Sequence, residues 1–128
     1  MTKTYLLVGL FGFLLSAGLL FSAVSDAGES DVLNVTITPS GNHRYDFSVT
    51  VRHDDTGWDH YANKWEVVDP AGAVLATRTL HHPHTGEQPF TRSLRSVAIP
   101  ADITTVKVRA HDLVHQYGGT EFRVDLPQ

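Results

Sequence analysis

The 128 residues contain no cysteine. That excludes disulfides, thiolate metal centres and a lipid-modified cysteine within them. The single methionine is Met1, so the folded part offers no thioether either. A soft copper(I) site goes with it. Basic residues are scarce: 10 Lys and Arg stand against 14 Asp and Glu, for a net charge of −4 with neutral histidines. A chain without a basic face is not built for general nucleic-acid binding or for anionic membranes. Beyond the first ~27 residues no apolar stripe recurs at helical spacing, and no named catalytic or metal motif is spelled out.

One long apolar run is present, from Tyr5 to about Val24, broken only by small residues such as Gly9, Gly12, Ser16 and Gly18. A single lysine, Lys3, precedes it. Ala23 and Ser25, or Ser25 and Ala27, suit the −3 and −1 positions of a cleavage site. Residues 1–27 therefore read as a secretory signal peptide, and 28–128 as one folded domain. The run exceeds the usual apolar core of ~7–15 residues and nearly reaches the ~20 that cross a bilayer. An uncleaved N-terminal anchor is the alternative. Both readings export the domain to a periplasm or the cell exterior, with a membrane touched only through that segment. About 100 residues can fold on a core alone, without staples.

The rest of the chain is short alternating runs between turn signals. Leu33, Val35 and Ile37 alternate with polar residues, and Pro39-Ser40-Gly41-Asn42 predicts a turn. Tyr45, Phe47, Val49 and Val51 mark a second strand. Tyr61, Asn63, Trp65 and Val67 mark a third, ended by the turn Asp69-Pro70-Ala71-Gly72. A fourth runs from Ala73 to about Leu80. A fifth, from Phe90 to Ile99, is irregular because its apolar residues do not alternate cleanly. Val106, Val108 and Ala110 mark a sixth, and Phe122, Val124 and Leu126 a seventh.

Seven antiparallel strands in about 100 residues resemble an immunoglobulin-like or fibronectin-III-like β-sandwich. Trp65 lies mid-strand in the third strand, where such folds bury a tryptophan. The disulfide pair is absent, and no tyrosine stands near the start of the sixth strand to form the usual corner.

This strand order gathers the histidines. Connections between up-and-down strands alternate between the two ends of the domain. Those between strands 2–3, 4–5 and 6–7 share one end, and they hold His53 and His60; His81, His82 and His84; His111 and His115. The other end carries plain turns. Loops longer than the fold requires tend to carry function.

Imidazoles suit borderline metals, and nitrogen with oxygen donors suits Zn²⁺ or Cu²⁺. All seven histidines are candidate ligands, with Asp55, Asp59, Glu87 and Asp112 as additional ones. His53 continues the inward parity of Tyr45 to Val51 and so lies at the core rim. His82 and His84, two apart, point the same way on an extended backbone. His111 and His115, four apart, could both turn inward on a helical turn. Each histidine alone is as well explained by packing or a backbone hydrogen bond. The other reading of the same end is a metal-free face for a protein partner in the envelope or a glycan, built on Trp58, Tyr61, Phe90 and Tyr117. For catalysis the residues supply no nucleophile elbow and no evident pocket.

Overall fold

The computed structural model describes residues 28–128, and the N-terminal apolar segment lies outside the described residues. The described chain holds seven strands: β1 (Asp31–Gly41), β2 (Arg44–Arg52), β3 (Ala62–Val68), β4 (Val74–Thr79), β5 (Phe90–Ala98), β6 (Thr105–Asp112) and β7 (Phe122–Asp125). They form two antiparallel sheets, ordered β1-β2-β5 and β4-β3-β6-β7. The fold is the expected all-β, immunoglobulin-like sandwich. Its fourth strand pairs with the third, not with the β1-β2-β5 sheet as in the constant-type arrangement. Among the described residues no helix is long and apolar enough to cross a membrane.

The core follows from the period-2 pattern. Val35, Phe47, Val49, Val51, Phe90 and Val97 of the smaller sheet face Trp65, Val67, Val106, Val108 and Ala110 of the larger. Trp65 has no exposed surface. Truncating a tryptophan so placed costs about 3–5 kcal/mol in comparable cores.

Three details differ from the expected strands. Pro39 does not turn the chain but pairs with Tyr45, and the hairpin turn is Asn42-His43. β1 is an edge strand, where a missing N–H is tolerated. A register shift between Ala62 and Lys64 leaves Tyr61 and Asn63 half-buried rather than inward. The irregularity of β5 is a bulge opposite Tyr45 and Phe47, with Ser96 at φ 55°.

Candidate metal centre

The loop end does gather histidines, and strand parity selects which. The inward series of β2 runs Phe47, Val49, Val51 and continues past the strand to His53 and Asp55, all buried. That of β6 runs Val106, Val108, Ala110 and then Asp112, which has no exposed surface. The 2–3 loop turns back through a bridge between Gly57 and His60 and delivers His60 between these two strand ends. The 6–7 loop closes on itself by paired backbone bonds between Asp112 and Gln116, which brings His115 over the same spot.

The result is a buried tripod. Potential ligand atoms of His53, His60 and Asp112 lie within 4.8 Å of one another. His53 Nε2 is 3.3 Å from His60 Nε2, and His60 Nε2 is 3.0 Å from Asp112 Oδ1. Tetrahedral ligands at the zinc–nitrogen distance stand about 3.3 Å apart, so two edges of such a polyhedron are close to formed. His115 borders the group, its Nδ1 3.4 Å from Asp112 Oδ1 and its ring 5.1 Å from that of His60.

Hydrogen bonds orient these ligands. His53 Nδ1 donates to Asp55 Oδ1 at 2.5 Å, because a carboxylate can only accept there. In the neutral ring that fixes the tautomer and leaves the Nε2 lone pair facing His60 and Asp112. Asp55 is itself held by the Ala62 amide on Oδ1 at 2.9 Å and the His84 amide on Oδ2 at 2.7 Å. Asp112 Oδ1 accepts from the amides of Val114 and His115 at 2.9 and 2.6 Å, while its Oδ2 is buried with no hydrogen-bond partner. An acceptor-only oxygen left bare inside a protein is costly unless something cationic meets it.

The electrostatics agree. Burial opposes charge on Asp112, yet the His115 and Val114 amides and the nearby histidines hold its carboxyl below the ordinary range. Asp55 is likewise lowered against burial, by His53 and by the amides of His84 and Ala62. Burial alone would depress His53, but its bond to Asp55 and the charges of Asp55 and Asp112 outweigh that and raise it. Two carboxylates held ionised inside the protein favour a positive charge beside them, a proton on His53 or a bound cation.

The other expected site residues fall elsewhere. His84 is buried and stacked on Phe90, ring centroids 4.0 Å apart. Its Nε2 accepts from the Arg92 guanidinium at 2.9 Å, which occupies the lone pair a metal would need. Burial, then the charge of Arg92, push its pKa down. His82 is exposed and donates to the Pro83 carbonyl, and His81 is exposed. His111 alternates with Asp112 and so faces the outer side of the larger sheet. There it donates to Asn63 and meets Tyr117 edge-on at 4.7 Å. Asp59 and Glu87 are exposed, and Asp55 orients a ligand rather than joining the tripod. Phe90 is core. Tyr117 folds over the sheet, its hydroxyl donating to buried Glu66 and the Arg109 guanidinium 4.1 Å above its ring. Trp58 is 66 % exposed and meets Tyr61 edge-on.

Sequence reasoning missed two supports. Gln88 accepts from the His53 amide and donates to the His84 carbonyl, pinning the 4–5 loop to the 2–3 loop. Arg92 of β5 bonds to His84. The in-out parity of β6 was a usable signal for preferring Asp112 over His111.

No protein-family model matches the chain, and no solved structure matches it. A protein of Halomicrobium mukohataei described as "Putative lipoprotein" is 44% identical over 100 residues, which is 78% of this chain and 49% of that protein. The chain thus spans about half the length of the curated relative it matches.

Proposed function

We propose that this chain is an exported domain that binds one divalent transition metal, Zn²⁺ or Cu²⁺, through His53, His60 and Asp112. Metal handling or sensing, or delivery to a partner in the cell envelope, is the role such a site suits. The observation that supports the reading best is the near-ligand spacing of two imidazole nitrogens and Asp112 Oδ1, on a buried carboxylate whose other oxygen has no hydrogen-bond partner. Nitrogen and oxygen donors without sulfur suit these ions. The Asp55–His53 bond is the carboxylate–histidine support usual around such ligands. Export rests on the apolar N-terminal run and on the description of the relative.

Titration calorimetry of the untagged, metal-stripped protein with Zn²⁺ and Cu²⁺ tests this. One equivalent is expected to bind with submicromolar Kd. Asp112→Asn and His60→Gln should each weaken it at least a hundredfold, while a His82→Ala, His84→Ala double variant keeps it within threefold. Non-stoichiometric binding, or loss led by the His82/His84 variant, would overturn the assignment. The metal-free use of the same end for a partner stands behind it, favoured by the exposure of Trp58.

A further inference from the structure

Apolar surface is concentrated at the histidine end. Five large hydrophobic side chains are exposed among the described residues: Leu33, Trp58, Val74, Leu113 and Val114. Only Val74 lies at the short-turn end, just after the Asp69–Gly72 turn. Trp58, Leu113 and Val114 are 66%, 43% and 54% exposed, on two loops that meet at Tyr61. Trp58 packs on Tyr61 with ring centroids 5.7 Å apart, and the Leu113 amide donates to the Tyr61 carbonyl. The 2–3 and 6–7 loops thus present one apolar tip. Folding does not require it, because these side chains are outside the core.

The chain also arrives at this end. Gly28, Glu29 and Ser30 precede β1, whose first residue pairs with Arg52 at the end of β2. The 6–7 loop clasps this arrival. Val32 donates to the Thr120 carbonyl, Thr120 donates to Asp31, and a Cβ on Gly119 would sit 1.8 Å from the Ser30 carbonyl oxygen. The arriving segment is therefore fixed against the loop that carries Leu113 and Val114.

The apolar run of the sequence ends at about Val24, with only Ser25, Asp26 and Ala27 before Gly28. Fully extended, the four steps from Val24 to Gly28 reach about 14 Å. The polar layer on each side of a bilayer is roughly 5–8 Å deep. A domain held by that run can stand at most about 6–9 Å clear of the headgroups even with those residues fully extended, and its nearest surface is the apolar tip.

Taking the uncleaved-anchor reading of the N-terminal apolar segment, we propose that the segment holds the histidine end against a lipid bilayer, with Trp58, Leu113 and Val114 seated among the headgroups. Tryptophan is enriched at this depth, where an apolar ring with one polar N–H is best solvated. Exposed Asp54 and Asp59 flank Trp58, so neutral headgroups fit the tip better than anionic ones. The proposal stands apart from metal binding: the lipid-facing side chains are not ligands, and either reading can fail alone.

The two tryptophans make the test direct, since Trp65 is buried and Trp58 is exposed. Full-length protein is reconstituted in neutral phosphatidylcholine vesicles, and tryptophan quenching is compared between headgroup-region nitroxide lipids and aqueous acrylamide. The nitroxide lipid is expected to quench at least twofold more than in Trp58→Phe, and vesicles to protect Trp58 from acrylamide. Replacing Leu113 with Ser should reduce the lipid quenching by a measurable fraction while the buried Trp65 keeps its emission spectrum. Trp58 that stays open to acrylamide on vesicle-bound protein overturns the proposal. So does a domain released from the vesicles, or a Trp58 shielded from both quenchers by a second copy of the chain.

Discussion

Asp55 illustrates how much one side chain carries here. Its two oxygens take the His53 ring proton and the amides of Ala62 and His84, joining the 2–3 loop to β3 and to the 4–5 loop. An asparagine offers one acceptor oxygen and must aim its NH₂ at a donor. Asp55→Asn should therefore cost about 2–4 kcal/mol in urea unfolding of the metal-free protein, the range for leaving buried donors unmet. It should also weaken Zn²⁺ binding by roughly 10–100-fold, as losing an orienting carboxylate does elsewhere. Unchanged affinity with reduced stability would make Asp55 a purely structural residue. At this scale the sequence was half legible. The inward position of His53 could be read from alternation with Val49 and Val51. The choice between His111 and Asp112 needed the parity of β6 carried one residue past Ala110. The withdrawal of His84 could not be read, because it depends on an arginine eight residues away.

Among the elements, the 6–7 loop does the most. It gives Asp112 the Val114 and His115 amides, sets His115 beside the tripod, lays Tyr117 on the outer sheet face, and offers Gly118 and Gly119 as a seat for Glu29 and Ser30. A side chain at Gly119 would meet backbone, which cannot swing aside. Gly119→Ala should lower stability by about 1–3 kcal/mol, seen as a Tm drop of several degrees for a domain of this size. An unchanged Tm would mean that the β1 arrival is free to move off the loop. The seven strands and the sharing of one end by three loops were legible because alternation and antiparallel order are local rules. The Asn42-His43 turn was not. Pro39-Ser40-Gly41 has strong turn chemistry, and only its place on a sheet edge lets the strand run through it.

For the whole molecule, titration links the faces to stability. Burial and then Lys64 lower the His111 pKa, so below about 6.5 the unfolded chain takes up a proton that the folded one resists. Glu66 is lowered against burial by Tyr117, Arg109 and Lys64, so its contribution is present above about 4.5 and fades as pH falls through its depressed value. His84 is lowered in the same way, while His53 is raised and gains stability over the same range, so the metal-free protein's first stage, beneath pH 6.5, is the net of opposing histidines and its second, beneath 4.5, is a decline. Denaturant midpoints taken at half-unit pH steps check this. His111→Gln should flatten the first stage and Glu66→Gln the second. A His111→Gln profile that runs parallel to that of the unsubstituted protein from pH 7 to 5 would contradict the first assignment.

An odd number of antiparallel strands has a mechanical side. β1 begins at the histidine end, while β7 finishes at the short-turn end, where Leu126 bonds to Thr104. Tension applied between residues 28 and 126 therefore runs along the strands and loads the β1–β2 ladder in shear, all its bonds together. A tether at the front and a load at the back would stretch this sandwich lengthwise and could not unzip it one pair at a time.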